Sequence, residues 1–152
     1  MENIELHNGQ YLLSTDKNKL DVYLIHSFLT NESDWSDGIP YENVKKSIDN
    51  SLNFGIYFER KQIGYARVIS DFSTIAYLGD LFILKEYRRI GLSKWLMEVI
   101  MGHKDLQNLR RWILLTSTAK WLYEKYGFKK LPKPEIYMEK FNPNVYNEIK
   151  ND

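Results

Sequence analysis

The chain has 152 residues, of which 43% are hydrophobic and 27% are charged, and this composition is typical of one globular domain rather than of a disordered chain. Its 21 lysines and arginines nearly balance 20 aspartates and glutamates, so the net charge of +1 gives no bulk attraction to nucleic acid or to an anionic membrane. The absence of cysteine excludes disulfide bonds, thiolate nucleophiles and cysteine-based zinc sites.

The first half of the chain predicts one short strand and two helices, at residues 11–13, 17–29 and 41–51. Thr15 or Asp16 is placed to cap the first helix, whose apolar residues recur at helical spacing. The second helix is weaker, with apolar side chains spaced by four. Residues 30–40 between the helices are polar and rich in turn formers, so we expect a loop there.

The middle of the chain changes to the period of strands, at residues 54–59, 62–70 and 75–84. The polar pair Arg60-Lys61 joins the first two strands, which is typical of an antiparallel hairpin. The third strand is apolar on both faces, which favours a central position in the sheet.

The last third predicts a helix, a strand, a short helix and a final strand, at residues 92–101, 111–116, 119–126 and 136–141. Gly102 and Gly127 end the two helices, and Ser117 or Thr118 caps the second. The order β-α-α-β-β-β-α-β-α-β indicates an α+β fold with a largely antiparallel centre.

We therefore assign residues 1–141 to a single domain and residues 142–152 to a loose polar tail. No run of about 18 apolar residues occurs and the first ten residues are polar, so we expect neither a membrane span nor a signal peptide, and we expect the protein in the cytoplasm. The three histidines are well separated and no pair has ligand spacing, so no metal site is expected.

Residues 80–96, DLFILKEYRRIGLSKWL, are the most informative segment, because an apolar strand, a basic turn and a helix beginning at Gly91 follow one another. A helix N-terminus presents unpaired N–H groups that suit a phosphate, and Gly91 lets a ligand approach the backbone. Arg88, Arg89 and Lys94 add positive charge for a diphosphate. An ordinary strand, turn and helix with solvated basic side chains fits the same pattern, and the P-loop and Rossmann patterns are absent.

Two motifs of this chain resemble those of the GCN5-related N-acetyltransferase (GNAT) family. The letters RRIGLS at residues 88–93 are similar to the family's acetyl-CoA motif: Gln or Arg, two residues, Gly, one residue, then Gly or Ala. Arg88 and Gly91 match this motif, whereas Ser93 departs from it. Residues 119–128, AKWLYEKYGF, are similar to the family pattern A-x-x-L-Y-x-x-x-G-F, without the Asn that often precedes it.

The resemblance implies an acyl-CoA N-acyltransferase-like fold, with a mostly antiparallel, splayed central sheet flanked by helices, and acetyl-CoA as the co-substrate. It implies that the Ile83 N–H stabilises the oxyanion. Tyr123 matches the tyrosine that the family is thought to use to protonate sulfur, and a core aromatic residue is the alternative. The residues implied to bind the cofactor are Leu81, Phe82, Ile83, Arg88, Arg89, Ile90, Gly91, Leu92, Ser93, Lys94, Ala119 and Tyr123.

Asp80 is the first candidate for the base that takes a proton from an attacking amine, because it is an acidic residue within an apolar strand. The alternative is a structural aspartate paired with Arg67 or another cation. Asp71 is a second candidate, as a base or as a substrate-binding residue, and is equally consistent with a turn residue. A water relay without a single base fits as well.

The loop at residues 30–40 corresponds to the region that covers the acceptor site in the family. Glu32, Asp34 and Asp37 would attract a cationic amine, and Trp35 would offer a cation–π surface. A solvated acidic loop with one anchoring tryptophan is the alternative interpretation.

The sequence thus predicts an acetyl-CoA-dependent N-acetyltransferase that acts on a small-molecule amine, with a protein N-terminus or lysine as a further acceptor class. Two alternatives stay open: a catalytically degenerate acyl-CoA sensor, and an interaction domain without a coenzyme A site. No nucleic acid or membrane partner is expected, and the C-terminal strand and tail are compatible with a homodimer.

Overall fold

The computed structural model describes residues 1–151 and contains a six-stranded sheet in which each strand pairs with the next one along the chain. The four pairs from β1–β2 to β4–β5 are antiparallel, whereas β5 and β6 pair in parallel. The strands are β1 (Glu5–Asn8), β2 (Tyr11–Ser14), β3 (Leu52–Phe58), β4 (Lys61–Ser70), β5 (Ile75–Ile83) and β6 (Arg111–Leu114).

The helices are α1 (Val22–Asn31), α2 (Tyr41–Asp49), α3 (Leu92–Met101), α4 (Lys120–Glu124) and α5 (Val145–Asn151). The side chain of Asp21 accepts a hydrogen bond from the Leu24 N–H at 3.0 Å, and this cap sets the start of α1. Glycines flank α3 at both ends, Gly91 before it and Gly102 after it. None of the helices within residues 1–151 has the length and apolar character needed to cross a bilayer.

Each face of the sheet carries its own apolar core. The face covered by α3 and α4 is represented by Val68, Leu96, Ile100 and Leu122, all buried. The face covered by α1 and α2 includes Ile25, Val44, Tyr65 and Phe82, and Phe82 stacks on Phe28 with ring centroids 3.9 Å apart. A helix layer on each side of a largely antiparallel sheet confirms the predicted α+β fold.

The N-terminal elements differ from the sequence prediction in two ways. β1 was not predicted, because its residues ELHN are all exposed and show no apolar alternation. The predicted helix over residues 17–29 is divided: Asp16 caps a short 3-10 helix (Lys17–Lys19), and α1 begins only after Asp21. Two capping aspartates five residues apart therefore produce two helices instead of one.

The predicted strand at residues 136–141 is wrong. A 3-10 helix (Pro134–Ile136) and irregular chain occupy this part, although its apolar residues alternate. Alternation is a local signal, whereas a strand needs a hydrogen-bonding partner along its length. In the part of the chain described, the outer edge of β6 pairs with no strand.

The prediction of a loose tail at residues 142–152 also needs correction. Residues Val145–Asn151 form α5, and Tyr146 is half-buried against the core beneath α1 and α2. The polar composition concealed this contact, since one aromatic residue supplies most of it. Asp152 lies outside the described residues.

The sheet opens between β5 and β6. Their ladder covers four residue pairs, from Ile75 opposite Arg111 to Leu78 opposite Leu114. β5 then continues to Ile83 beside β4, with no further pairing to β6. The backbone of β5 beyond Leu78 is therefore free on one side, which is the splay that the resemblance implied.

Candidate active site

A β-bulge in β5 turns the Asp80 side chain toward the face of the sheet covered by α1 and α2. The ladder between β4 and β5 passes from Arg67 opposite Gly79 to Tyr65 opposite Phe82, so Asp80 and Leu81 together face one residue of β4. Asp80 has φ of 53°, in the left-handed region, which costs about 1–2 kcal/mol for a residue with a side chain. The surrounding contacts must offset this strain.

The Asp80 carboxylate is held by two donors. Arg67 Nε donates to Oδ2 at 2.8 Å, and Trp35 Nε1 donates to Oδ1 at 3.1 Å. The Arg67 side chain is 16% exposed and that of Asp80 is 9% exposed. Arg67 Nη1 also donates to Ser51 Oγ at 3.2 Å. The pairing with Arg67, left open by the sequence, is therefore present, and a proton-accepting role for Asp80 remains a prediction.

Trp35 reaches Asp80 because the loop after α1 is tightly folded. Ser33 Oγ donates to the carbonyl oxygen of Leu29 and accepts from the Ser36 N–H, and both serines are buried. The Trp35 ring remains 55% exposed, and the acidic side chains of the loop are exposed around it. The structure thus places the predicted substrate-binding tryptophan next to the predicted base.

Asp71 forms a turn at the other end of β5. Its carboxylate accepts hydrogen bonds from the hydroxyl and N–H of Thr74 and from the N–H groups of Ser73 and Ile75. These bonds, that of the Thr74 hydroxyl first, hold the pKa of Asp71 well below its ordinary value. Asp80 lies five residues beyond Ile75, about 17 Å along the strand. The structure therefore does not bring Asp71 and Asp80 together.

The backbone of Ile83 faces the open side of β5. The Leu84 N–H donates to the Ile63 carbonyl oxygen at 2.8 Å, so the next pair, Ile83 and Gly64, is one without mutual hydrogen bonds. The N–H and C=O of Ile83 consequently point away from β4. The carbonyl oxygen accepts a hydrogen bond from Arg88 Nε at 2.8 Å. This hydrogen bond holds the turn before α3 against the end of β5, and the sequence did not predict this role for Arg88.

The N-terminus of α3 has no side-chain cap. Gly91 precedes the helix at φ of 89°, and the space that a Cβ would occupy there is open. The first hydrogen bond of this turn runs from the Trp95 N–H to the Gly91 carbonyl oxygen at 3.0 Å, so the amides of Leu92, Ser93 and Lys94 are the unpaired ones at this end. These amides suit an anion, and the exposed Arg89 and Lys94 side chains add charge nearby.

α4 is tied to the site by Thr116 and Tyr126. Thr116 Oγ1 accepts from the Ala119 N–H at 3.0 Å, in the region where the family often has Asn. Tyr126 Oη donates to the carbonyl oxygen of Lys94 at 3.0 Å, which connects the end of α4 to the first turn of α3. The two motifs separated in sequence are therefore in direct contact.

Tyr123 is buried in α4, with 9% of the residue exposed. Its ring packs edge-on against Phe128 with centroids 6.1 Å apart. Burial raises the pKa of Tyr123, so its phenol is neutral and able to donate a proton near pH 7. The side chain is part of the core, as the alternative held, and it also lines a cavity.

That cavity has a volume of about 700 Å³ and lies between β6, α4 and the chain that follows α4. It is lined by Tyr77, Ile113, Leu114, Leu115, Thr116, Lys120, Tyr123, Glu124, Phe128, Lys129, Lys130, Leu131, Tyr137, Met138 and Glu139. Sequence analysis missed this cavity, since its second wall is the irregular segment that was predicted as a strand. Only the packing of that segment places it opposite β6.

Two further tyrosines lie near the Asp80 side of the sheet. Burial and the Asp80 charge raise the pKa of Tyr77, and the same two causes raise the pKa of Tyr146 in α5. Neither residue was predicted as part of the site. The spacing of Val145, Tyr146 and Ile149 was the available signal for the helix that brings Tyr146 there.

Comparison with known proteins identifies the family. Residues 49–130 match the model of the acetyltransferase (GNAT) domain. The chain belongs to the GNAT family. A candidate acetyltransferase of Gibberella zeae is 30% identical over 139 residues, covering 77% of this chain and 77% of the relative. The GNAT chain is thus an acyltransferase, as its two motifs predicted.

Solved structures agree with this assignment. The crystal structure of a candidate GNAT acetyltransferase from Xanthomonas campestris is 46% identical, covers 92% of this chain and 99% of its own, and has a TM-score of 0.89. An acetyltransferase from Clostridium acetobutylicum whose crystal structure is described with acetyl-CoA is 14% identical, with a TM-score of 0.62 and coverage of 86% and 94%. The latter likeness shows a shared fold alone.

Proposed function

We propose that this GNAT enzyme transfers the acetyl group of acetyl-CoA to the primary amine of a small molecule by direct attack. The observation that carries the proposal is the unpaired edge of β5 beyond Leu78, which lies next to the uncapped N-terminus of α3. An extended thioester arm fits the first feature, and a diphosphate fits the second. Within the described residues, no strand pairs with the first feature and no side chain caps the second.

The residues at the start of α3 fit the diphosphate of coenzyme A. The amides of Leu92, Ser93 and Lys94 would hold its oxygens, and the open space at Gly91 gives them access to the backbone. Arg89 and Lys94 would supply positive charge. Ser93 is half-buried and small enough to leave this approach open.

Ile83 is the proposed oxyanion donor. Its N–H points to the free side of β5, where no strand of residues 1–151 pairs with it. A fixed backbone donor of this kind stabilises the negative charge that develops on a carbonyl oxygen. The hydrogen bond from Arg88 to the Ile83 carbonyl keeps this peptide aligned with the turn before α3.

The transfer forms one N–C bond and breaks one C–S bond, and each change requires a proton to move. The phenol of Tyr123 would give its proton to the leaving thiolate and would regain one from solvent. The amine proton would pass to Asp80, which stays the predicted base, or to a water relay. Trp35 and Arg67 hold the Asp80 carboxylate on the acceptor side.

The binding step is tested by thermal unfolding with acetyl-CoA. At a concentration 100 times its Kd, a ligand of the folded state adds about 2.7 kcal/mol to the free energy of unfolding. A transition unchanged by acetyl-CoA and coenzyme A would overturn the proposal and support an interaction domain without such a site.

The chemical step is tested by Tyr123→Phe in an assay of coenzyme A release with a panel of amines. We expect kcat to fall about a hundredfold while the Kd of acetyl-CoA is unchanged, because the lost hydroxyl acts in proton transfer and not in binding. Tyr11→Phe, in β2, removes a phenol hydroxyl elsewhere and should leave both quantities unchanged. Binding without release of coenzyme A for any amine would support the sensor instead.

A further inference from the structure

The cavity beside β6 is distinct from the features that fit coenzyme A. Of its lining residues, Tyr77 alone comes from β5, and none comes from the turn before α3 or from α3 itself. Tyr123 is the shared element, since it lines the cavity and is the proposed donor to the leaving sulfur. The cavity therefore opens next to the reacting atoms, and Tyr123 is the one proposed cofactor contact among its lining residues.

We propose that this cavity holds the body of the acceptor, and that the acceptor is a primary amine carried on an apolar aryl or alkyl group. This inference rests on the proposed function. The volume of about 700 Å³ lies within the range of small-molecule sites, which are mostly apolar with a few polar groups. Bond making and breaking are those described above, with the amine nitrogen next to Tyr123 and the amine proton leaving through the water relay, because Asp80 does not line the cavity.

Apolar side chains occur on both walls of the cavity. β6 and its continuation contribute Ile113, Leu114 and Leu115, and the opposite segment contributes Leu131 and Met138. Leu115 is 75% exposed and Met138 is 97% exposed, so large apolar side chains at the cavity rim are in contact with water. An apolar ligand body would remove that surface from water, which is favourable.

The charges around the cavity argue against a polyamine. Lys120, Lys129 and Lys130 outnumber Glu124 and Glu139 among the lining residues. A chain with several ammonium groups would need a carboxylate for each, and it would meet these lysines instead. The acidic loop around Trp35 lies outside the cavity lining, so it can attract an amine but does not enclose its body.

Two substitutions at the cavity rim and one control substitution nearby test the inference. Leu115→Glu and Met138→Glu place a carboxylate at the apolar rim, and both positions are exposed, so the fold should tolerate the change. Ile136→Glu is the matched control, because Ile136 is 64% exposed two residues before Met138 and does not line the cavity. The probes are 2-phenylethylamine, hexylamine and spermidine, with acetyl-CoA as donor.

We expect kcat/KM for 2-phenylethylamine and hexylamine to exceed that for spermidine. Leu115→Glu and Met138→Glu should raise the KM of these two amines about tenfold, with the KM of acetyl-CoA unchanged. Ile136→Glu should leave all these values unchanged. Titration calorimetry of 2-phenylethylamine into each protein loaded with coenzyme A measures binding without turnover. The affinities of the wild type and Ile136→Glu should be equal, and those of Leu115→Glu and Met138→Glu should be lower.

Different failures identify which idea is wrong. Turnover that prefers spermidine, or that responds equally to Ile136→Glu and Met138→Glu, would overturn the assignment of the cavity and leave the proposed function standing. No binding of acetyl-CoA and no turnover with any amine would overturn the proposed function and this inference with it. Conversion of a dimer to a monomer by Met138→Glu, with unchanged acceptor KM, would show that a second copy covers the rim and would overturn the inference.

Discussion

The two halves of the proposed active site differ, since one is formed by backbone groups and the other by side chains. The half proposed to bind coenzyme A, the coenzyme A half, consists of backbone: the free edge of β5, the Ile83 N–H and the amides that follow Gly91. The half proposed to bind the acceptor, the acceptor half, consists of side chains, namely the Arg67–Asp80 pair with Trp35 and the lining of the cavity. The amides after Gly91 follow from local chain geometry, whereas the free edge of β5 and the side-chain contacts require distant segments to meet.

The largest expected effect is the loss of folding stability caused by Asp80→Ala in the acceptor half. This substitution leaves a largely buried guanidinium on Arg67 without its carboxylate, and we expect the free energy of unfolding to fall by about 3 kcal/mol. Urea unfolding measures it. Asp49→Ala removes a carboxylate from the exposed pair with Lys17 and should cost less than about 1 kcal/mol.

Equal losses for Asp80→Ala and Asp49→Ala would contradict the view that side-chain contacts organise the acceptor half. The double substitution Arg67→Leu/Asp80→Leu should recover part of the loss, since no unpaired charge then remains. Affinity for coenzyme A in the folded Asp80→Ala protein should stay unchanged, because none of the contacts proposed for coenzyme A involves this pair.

The next largest expected effect is the loss of coenzyme A affinity caused by Gly91→Ala in the coenzyme A half. A Cβ at φ of 89° strains the backbone by about 1–2 kcal/mol and shifts the amides that should bind the diphosphate. We expect about a tenfold rise in the Kd of coenzyme A, measured by calorimetry. Gly9→Ala, at φ of 59° with equally open space, is the control that carries backbone strain without the site. Equal coenzyme affinities in the two variants would exclude the α3 N-terminus as the anion site.

The smallest expected effect is the contribution of His103, which follows α3, to the stability of the protein at acidic pH. His103 Nδ1 accepts the Asp105 N–H, the ring lies edge-on to Phe54, and burial lowers the pKa of His103 from its ordinary value of 6.5. The folded state thus binds fewer protons than the unfolded state, so this contribution to stability is present above pH 6.5 and is lost as pH falls below it.

The measurement for His103 is the thermal midpoint between pH 8 and pH 5, compared in the wild-type protein and His103→Gln. We expect the wild type to lose more stability on acidification than the variant, because Gln does not titrate. If the thermal midpoints of the two proteins fell equally between pH 8 and pH 5, His103 would not be the source of the acid-induced loss of stability. Arg67 and Asp80 lie on the opposite face of the sheet, so their pairing should not alter the difference.

The parts of the site that sequence predicted share a local origin. Gly91 and the basic turn before α3 were identified because strand, turn and helix follow one another within residues 80–96, and backbone geometry follows directly from that order. Tyr123 was predicted from its motif. Neither motif by itself predicted that Tyr126 of the second motif would contact Lys94, the residue that follows the first motif.

The errors have a different origin. Alternation at residues 136–141 predicted a strand, but no strand within residues 1–151 pairs there, and the segment instead forms a cavity wall. The bulge at Asp80 was equally invisible, since it depends on the register between β4 and β5. Tyr146 was assigned to a loose tail because its partners lie far away in the sequence.

By itself, the sequence determined the α+β fold class, the elements from β3 to α4, the helix start at Gly91 and the family motifs, because propensity, capping and the backbone groups at a helix end are properties of neighbouring residues. The tertiary structure alone decided the free edge of β5, the pairing that holds Asp80, and the apolar cavity beside β6. These features arise from strand register and from contacts between residues tens of positions apart, and such contacts form only when the entire chain packs.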